Sequence, residues 1–389
     1  MRNNELVHYL DNAATTMVDP QVAQAVYEAL TTHWANPSSL YEPGHQSRIM
    51  LDKARAAVAK TLGAQPGEVF FTGCGSESNN IAILGAALAR RSWANKVVIS
   101  GFEHPSAALP AAQLAQYGFT VQVINPDETG HLDLQAFADA VDKSTALVCC
   151  MQVNNEVGSL TDVNRLARLV KEKNPRTAVH VDGVQAWLRV PVSLEGIDSY
   201  AVSGHKIHAP KGVGALYLRR GYNIQPPYLG GGQERGKGGG QELGVRPGTE
   251  NIAYAVGLAK AAAILYRSRE ERWQTLQDLN RQLREGLAQI PELTFNSPQD
   301  AVPEVVNVST GCIKSETMLH FLEQRQVYIS SGSACSQGAA SHTLQAMGLS
   351  ARRADTALRI SLCADNTPQD IQALLEGLRK GLATLARIQ

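Results

Sequence analysis

The chain is predicted to be an α/β protein, with a mostly parallel sheet in a large domain and a smaller α+β domain after it. Short β-branched runs alternate with amphipathic helical patterns over the first two-thirds of its 389 residues, the order typical of a parallel sheet covered by helices. From Asn251 this alternation stops, and a long helical stretch runs toward Gln289. We therefore predict a large domain over residues 15–261 and a small domain made of residues 1–14 and 262–389.

Individual elements follow from local patterns. Seven segments have the length and residue types of strands: Val69–Thr72, Lys96–Ser100, Thr120–Ile124, Ala146–Val153, Ala178–Val181, Ser199–Val202 and Gly214–Leu218. Helical periodicity is clearest in Asp19–Thr32, Gln46–Leu62, Glu77–Arg90 and Asp162–Lys173. In the small domain, strands are predicted at Val305–Ser309 and Ala357–Leu362, and the last helix starts at Thr367-Pro368, a cap residue followed by proline.

Composition and charge exclude several classes of protein. Acidic and basic residues balance at 36 each, so the net charge indicates no nucleic-acid or membrane partner. Residues 1–11 lack an apolar signal core, and no run is long enough to cross a bilayer. Six cysteines show no CxxC or Cys/His metal spacing, so we predict no metal site and reduced thiols. The cytoplasm is the expected compartment.

The segment Ser203–His208 places a lysine, Lys206, in a tight corner between two predicted strands. Loops at strand ends are where a sheet scaffold usually carries its chemistry. The segment alone fits a covalent or anion-binding group and a surface lysine in a polar turn about equally well.

Two further segments favour the chemical interpretation. The run from Phe70 to Asn80 is a strand, a glycine turn and a helix start, so free amides at Gly75 and Ser76 can bind an anion such as a phosphate. Asp182 ends an apolar strand, where a carboxylate is costly unless it meets a cation or a donor. An imine-forming lysine, a carboxylate for a pyridinium nitrogen and a phosphate site are together what pyridoxal phosphate requires.

The sequence also resembles a known family almost from end to end. The matching segments, in order, are Tyr9–Thr16, Asn36–Ser39, Glu103-His104, Asn154–Gly158, His180–Asp182, Ser203–Lys206, Arg246–Thr249 and Ser331–Cys335. They are similar to the cysteine desulfurases of the NifS/IscS type, pyridoxal-phosphate enzymes of fold type I in the class V aminotransferase family. Because many dispersed motifs agree in order, the resemblance is specific.

The resemblance implies a role for each matching residue. Lys206 binds pyridoxal 5'-phosphate covalently and moves protons, Asp182 pairs with the ring nitrogen, Gln185 contacts the ring hydroxyl, and His104 stacks on the ring and acts as acid or base. The phosphate is held by Gly75, Ser76, Ser203 and His205, joined by Thr249 of a neighbouring subunit, which implies a homodimer. The substrate L-cysteine is held by Asn155 and Arg359.

A second catalytic centre is predicted at Cys335. Its neighbours, residues 330–341, include no large apolar side chain, so they indicate an exposed loop in which the thiol is a nucleophile. By contrast, Cys149 and Cys150 lie in an apolar strand and are expected to be buried and inert. The resemblance implies that Cys335 takes sulfur from the substrate as a persulfide and passes it to an acceptor or scaffold protein, for iron–sulfur cluster assembly or for tRNA or cofactor thiolation.

Two departures from the family pattern concern loops. The segment Gly230–Lys237 is nearly repeated by Gly238–Val245, where the family commonly has one copy. The segment after Cys335 is about two residues shorter than in the long-loop branch. We expect the glycine-rich extension to cover the partner subunit's active-site mouth.

Other functions remain open. A selenocysteine lyase or another class V aminotransferase would share most of these residues, although an aminotransferase does not need Cys335. A non-catalytic scaffold that binds the cofactor is a different class of function. The chain keeps Lys206, Asp182, His104 and Cys335, which argues against a scaffold that has lost its catalytic activity.

Overall fold

The computed structural model describes residues 7–230, 244–332 and 341–388. Twelve helices occur in these ranges: α1 Pro20–Thr32, α2 Glu42–Leu62, α3 Gly75–Arg90, α4 Pro105–Gln113, α5 Leu134–Ala140, α6 Val163–Lys173, α7 Ile252–Arg267, α8 Arg269–Ala288, α9 Ser315–Glu323, α10 His342–Ala346, α11 Ala351–Asp355 and α12 Pro368–Thr384. The same ranges contain twelve strands: β1 His8–Tyr9, β2 Val69–Thr72, β3 Lys96–Ser100, β4 Thr120–Ile124, β5 Thr145–Met151, β6 Ala178–Asp182, β7 Ser199–Ser203, β8 Gly214–Leu218, β9 Thr294–Phe295, β10 Val305–Ser309, β11 Val327–Tyr328 and β12 Ala357–Ser361.

Seven strands form one sheet in the order β2-β8-β7-β6-β5-β3-β4. Its neighbours are parallel from β4 through β7, whereas β8 is antiparallel to both β7 and β2. Strands β5, β6, β7 and β8 are buried along their whole length, as expected of a sheet covered on both faces. The predicted α/β class with a mostly parallel sheet is therefore confirmed.

The remaining strands form two smaller sheets. Strands β12, β10 and β9 are antiparallel, and β1 pairs in parallel with β11, which ties the N-terminal segment to the second half of the chain. One apolar core joins α1, α2 and α7 to the large sheet, and a second joins Leu10 to α8, α9, β12 and α12. Leu265 belongs to the first core and Leu276 to the second. The domain boundary at residue 261 stays a prediction.

The long helical stretch is the main local difference from the sequence expectation. It is two helices, α7 and α8, with Ser268 between them as the C-terminal cap of one and the N-terminal cap of the other. Helical spacing would place Trp273 on the same face as Leu276, three residues later, but Trp273 is half-buried and packs on a separate small cluster with Val302 and Val305. Periodicity across both helices cannot reveal such a break, because each helix has its own apolar face.

Within the described ranges, no helix is both long and apolar enough to cross a membrane.

Candidate active site

The loops that carry the predicted site residues follow strands that end at one edge of the large sheet. Strands β3, β5, β6 and β7 are parallel, and β2 has the same direction because it is antiparallel to β8, which is antiparallel to β7. The loops after them carry Gly75, His104, Asn155, Asp182 and Lys206. Ligands of doubly wound sheets bind at this carboxyl edge. The fold thus brings to one edge residues that are widely separated in the sequence.

An unpartnered hydroxyl marks the predicted phosphate position. Ser203, the last residue of β7, is 2% exposed, and its Oγ has no hydrogen-bond partner among the described residues. Gly75 begins α3 so close to it that a Cβ on Gly75 would lie 3.3 Å from Ser203 Cβ and 2.6 Å from Val184 Cγ2. A buried polar atom without a partner costs about 1–3 kcal/mol. An anion at the start of this 16-residue helix would satisfy both Ser203 and the free amides.

The other predicted phosphate residues lie around this point in different environments. Ser76 is exposed and lines, with His104, a shallow cavity of about 340 Å³. His205 Nδ1 lies 3.3 Å from Thr15 Oγ1, and burial, followed by the positive charge of Lys206, lowers its pKa to about 4. A neutral His205 therefore acts as a hydrogen-bonding group. Thr249 is exposed, and its place beside a second subunit stays a prediction.

Lys206 ends a short 3-10 turn that begins directly after β7. Its Nζ donates to the carbonyl oxygens of Ala13 at 2.6 Å and Ala14 at 2.7 Å. Burial, and then the positive charges of Arg189 and Arg359, lower its pKa to about 7. A large share of Lys206 is therefore an uncharged amine at neutral pH, the form that attacks a carbonyl carbon.

Asp182 is 3% exposed at the carboxyl end of β6, and both of its oxygens are hydrogen-bonded. Oδ1 accepts from the Val184 amide at 2.9 Å, and Oδ2 accepts from Asn79 Nδ2 at 2.7 Å. These two donors compensate the buried carboxylate, which would otherwise be costly. The carboxylate is thereby fixed in orientation at the end of the strand.

Asn79 connects Asp182 to a longer network. Because a carboxylate only accepts, the Asn79 amide nitrogen must face Asp182, and its Oδ1 then faces His180 Nε2 at 3.0 Å. His180 therefore donates from Nε2 and accepts at Nδ1 from Ser199 Oγ at 2.9 Å. Burial lowers the pKa of His180 to about 3, in keeping with a neutral ring. The sequence did not single out Asn79, since a second helical turn usually carries packing residues.

The side-chain nitrogen of Asn79 is also connected to His104, through the hydroxyl of Ser106. Asn79 Nδ2 also donates to Ser106 Oγ at 2.9 Å, and Ser106 Oγ lies 2.8 Å from His104 Nδ1. That ring nitrogen also accepts from the Ser106 amide at 3.1 Å and so caps α4. Burial lowers the pKa of His104. His104 is thus held as the neutral ring that carries its proton on Nε2, the nitrogen free to face a ligand.

Gln185 is engaged at both ends of its amide. Its Nε2 donates to the Ala13 carbonyl at 3.0 Å, and its Oε1 accepts from Arg189 Nη1. Arg189 Nη2 in turn donates to the Lys206 carbonyl at 2.9 Å. The role of Gln185 at a ring hydroxyl stays a prediction, and the second N–H of its Nε2 is the donor that would serve it.

Arg359, predicted to hold the substrate, lies in β12 and is 2% exposed. Nη2 donates to Asp11 Oδ1 at 2.8 Å, and Nη1 donates to the carbonyls of Gly332 at 2.8 Å and Asn155 at 3.0 Å. Its Nε has no hydrogen-bond partner in the described ranges. Burial raises the pKa of Asp11 although Arg359 opposes this rise. Nε is thus the guanidinium nitrogen without a partner among the described residues, and the substrate-binding role of Arg359 stays a prediction.

Cys335 lies outside the described residues, but one buried carboxylate, Glu156, is hydrogen-bonded to one flank of its segment and lies beside the other. Glu156 accepts from Ser341 Oγ at 2.5 Å and from Thr343 Oγ1 at 3.2 Å. A Cβ on Gly332 would lie 2.7 Å from Glu156 Oε2. Glu156 therefore holds the flank at Ser341 and Thr343, whereas the Gly332 carbonyl at the other flank accepts from Arg359 Nη1. The sequence indicated it only as part of a matching segment.

A second buried acid, Glu103, precedes His104. Its Oε1 accepts from the Met151 amide at 2.6 Å and from Ser100 Oγ, and Cys149 Sγ lies 4.0 Å from Oε2. Burial raises the pKa of Glu103 to about 8, and the negative charge of Asp182 adds to that rise. Glu103 is therefore mostly protonated at neutral pH. Cys149 and Cys150 are fully buried, as predicted.

Comparison with known proteins identifies the family. The family described as "Aminotransferase class-V" matches residues 8–374. A cysteine desulfurase IscS of Clostridium botulinum is 38% identical over 380 residues, which cover 96% of this chain and 93% of the relative. A solved structure described as a NifS-like protein has a TM-score of 0.90 and 34% identity over 97% of this chain and 100% of that chain. Another, SspA in complex with cysteine, has a TM-score of 0.79 and 30% identity over 92% of this chain and 99% of that chain.

The fold and the carboxyl-edge site are those of an α/β enzyme of fold type I, and the chain belongs to the aminotransferase class-V family. Within that family its similarity is to the cysteine desulfurases of the IscS and NifS type. This family depends on pyridoxal phosphate. The unpartnered Ser203 hydroxyl, the helix start at Gly75 and the carboxylate of Asp182 fit its phosphate and its ring nitrogen.

Proposed function

We propose that the protein is a pyridoxal-phosphate-dependent cysteine desulfurase, which converts L-cysteine to L-alanine and takes the sulfur onto Cys335. The observation that carries the proposal is the juxtaposition at the carboxyl edge of Lys206, with a pKa near 7, and the buried, unpartnered Ser203. The desulfurase reaction is supported by relatives with that curated name, at 38% identity over 96% of the chain. The substrate is supported by the similar SspA, whose structure was solved with cysteine.

In this proposal the cofactor is held by the residues of the sheet edge. Lys206 Nζ forms the covalent bond, Asp182 pairs with the ring nitrogen, His104 covers the ring, and Gln185 meets the ring hydroxyl. The phosphate is held by Gly75, Ser76, Ser203, His205 and Thr249 of a neighbouring subunit. Bound pyridoxal phosphate supplies an electron sink that acidifies the α-carbon of an amino acid and weakens the bond to its sulfur.

The chain's own groups then bind the substrate and move protons. The Nε–H of Arg359 donates to the substrate carboxylate, with Asn155 beside it, because Nε is the guanidinium donor without a partner in the described ranges. Lys206 Nζ takes the proton from the α-carbon and returns it to a substrate carbon, a task that suits an amine with a pKa of about 7 at neutral pH. His104 carries a proton on Nε2, which it can give to the substrate or take back from it as acid or base.

Cys335 is the acceptor of the sulfur. Its thiolate attacks the sulfur of the substrate, so that a sulfur–sulfur bond forms as the carbon–sulfur bond breaks, and the carbon keeps the electron pair and gains a proton. L-Cysteine and the Cys335 thiol thus become L-alanine and a Cys335 persulfide, with no outside oxidant. The persulfide sulfur passes to an acceptor or scaffold protein, for iron–sulfur cluster assembly or for tRNA or cofactor thiolation.

The assembly and the compartment are part of the same proposal. Thr249 is exposed in the single chain, which suits a contact with the phosphate of a homodimer partner. The five described cysteines are free thiols, which suits the reducing cytoplasm. The balanced charge suits small-molecule and protein partners rather than nucleic acid.

The test is to mix the purified holoenzyme with L-cysteine without a reductant, to quantify alanine, and to weigh the tryptic peptides. Alanine together with one additional sulfur on the Cys335 peptide supports the proposal. Bound cofactor without alanine or persulfide refutes it. A keto-acid product would indicate an aminotransferase, and turnover confined to L-selenocysteine would indicate a selenocysteine lyase.

Two variants test the two proposed catalytic centres, Lys206 and Cys335, independently. Cys335→Ala should abolish the persulfide and leave the cofactor absorbance unchanged, whereas Lys206→Ala should change that absorbance by removing the covalent bond. Cys312→Ala, at a half-buried cysteine elsewhere, is the matched control. A persulfide on a different cysteine would contradict the assignment of Cys335.

A further inference from the structure

Three metal-ligand side chains meet where the two halves of the chain face each other. Ligand atoms of His208, Cys363 and Asp365 all lie within 4.8 Å of one another. His208 follows Lys206 by two residues in the connection from β7 to β8, whereas Cys363 and Asp365 follow β12. Because His208 is far in the sequence from Cys363 and Asp365, no short spacing motif indicates the three together, and the cysteine spacing predicted no metal site.

His208 is held in the form that binds a metal. Its Nδ1 lies 3.0 Å from the Met17 carbonyl, which can only accept, so Nδ1 carries the proton and Nε2 keeps a lone pair. A backbone carbonyl on the other nitrogen is the usual outer partner of a metal-binding histidine. The residue has a φ of 60°, an uncommon conformation for a side chain other than glycine. Its amide donates to Thr16 Oγ1 at 2.8 Å, which helps to hold this conformation.

Cys363 and Asp365 are carried by one ordered turn. Asn366 closes this turn. Its side-chain Oδ1 accepts from the backbone N–H of Cys363 at 2.8 Å, and its backbone N–H donates to the Cys363 carbonyl at 3.1 Å. Asn366 Nδ2 also donates to the Tyr9 carbonyl at 2.9 Å. Arg272 Nη1 donates to Asp365 Oδ1 at 3.2 Å, which orients that carboxylate and leaves Oδ2 for another partner. The two ligands are thus presented on a fixed backbone.

A cavity of about 590 Å³ gives access to two of the three residues. His208 and Cys363 line it, together with Lys206 and Glu304. Glu304 is 3% exposed, and neither carboxylate oxygen has a hydrogen-bond partner among the described residues. An unpartnered buried carboxylate favours a cation in the same cavity. The cavity arginines are already partly engaged, for example Arg272 with Asp365.

We propose that His208, Cys363 and Asp365 form a zinc site that joins the turn after β12 to the Lys206 loop. An imidazole nitrogen, a thiolate and a carboxylate are the ligands that zinc takes in proteins, and three protein ligands leave one position open to the cavity. The metal displaces the Cys363 proton to solvent when it binds. Since His208 follows β7 of the large sheet and Cys363 follows β12 of a smaller sheet, the bound metal links the two parts of the chain and raises the melting temperature of the folded protein.

The experiment titrates the holoenzyme with Co²⁺ as a spectroscopic substitute for zinc, in the absence of thiol reductants. We expect one Co²⁺ per chain, with the visible bands of a tetrahedral site and a thiolate charge-transfer band. Cys363→Ser and His208→Asn should remove these bands, and Asp365→Asn, on an exposed turn, should weaken Co²⁺ affinity at least about tenfold, the effect of losing a ligand or its outer partner.

Matched controls separate this site from the other cysteines. Cys312→Ser and Cys335→Ser should leave the Co²⁺ bands unchanged, and Zn²⁺ should raise the melting temperature of both but not of Cys363→Ser. Bands that survive in Cys363→Ser, or that disappear in Cys335→Ser, would overturn the proposal. Because Cys363→Ser should still form alanine from L-cysteine without added metal, the zinc site can fail while the proposed desulfurase function stands.

Discussion

Replacing the buried acid behind His104, in the variant Glu103→Gln, should change how stability depends on pH. Burial raises the pKa of Glu103 from 4.5 to about 8 in the folded protein. Between these values the folded state keeps the proton and the unfolded state has lost it. Raising the pH therefore favours unfolding over this window, and the stabilisation is fully present only below about pH 4.5.

The size of the effect follows from the two pKa values. Each pH unit inside the window removes about 1.4 kcal/mol of unfolding free energy. Between pH 5.5 and pH 7.5 the wild type should lose about 3 kcal/mol more than Glu103→Gln. The glutamine does not titrate, and its oxygen can still accept from the Met151 amide and Ser100 Oγ, as Glu103 Oε1 does.

The assay is urea unfolding of the holoenzyme at several pH values from 5.5 to 7.5, followed by tryptophan fluorescence. Glu28→Gln is the control, because Glu28 is an exposed acid on α1, and its pH dependence should match that of the wild type. If Glu103→Gln and the wild type lose stability in parallel across this range, Glu103 is ionised in the folded protein and the argument is refuted.

Three further substitutions test other parts of the structure. Asn79→Ala removes the amide that donates to Asp182 Oδ2 at 2.7 Å. Since a hydrogen bond to a charged group contributes about 1.5–3 kcal/mol, pyridoxal phosphate should bind at least about tenfold more weakly in a reconstitution titration. An unchanged dissociation constant would count against the network. Glu156→Ala removes the acceptor for Ser341 and Thr343 at one flank of the cysteine segment, so persulfide should form about tenfold more slowly with an unaltered cofactor spectrum. Quenched-flow mass spectrometry measures that rate, and a wild-type rate would exclude the anchoring role. Gly183→Ala places a Cβ 2.0 Å from the ring of buried Tyr200, so the unfolding free energy should fall by about 1–3 kcal/mol. A denaturation midpoint equal to that of the wild type would contradict this packing.

Local sequence was sufficient for most of the secondary structure. Strands β2, β3, β4, β8 and β10 begin and end where the β-branched runs do, because a run of such residues between turn residues has few alternatives in a covered sheet. The cap at Thr367 likewise begins α12 at Pro368, as the capping pattern predicts. The break at Ser268 was not predicted, because two consecutive amphipathic helices give one continuous periodic pattern.

The site was predictable in its residue types and in part of its chemistry. Lysine, aspartate and a glycine helix start in one chain indicated a pyridoxal-phosphate site, since few other ligands need all three. The state of these groups was not predictable. The lowered pKa of Lys206 depends on burial and on Arg189 and Arg359, and none of these effects can be obtained from the residues next to it in the sequence.

The sequence by itself determined the α/β class, most element boundaries and the family, and it supplied the candidate site residues, because these depend on local pattern and on motifs. Only the tertiary structure decided the partners: Ala13 and Ala14 for Lys206, Asn79 for Asp182 and Ser106, and Glu156 for Ser341 and Thr343. It also brought His208 beside Cys363 and Asp365. Hydrogen bonds and metal ligands act over about 3 Å in space, whereas these partners lie far apart along the chain, so only tertiary packing brings them into contact.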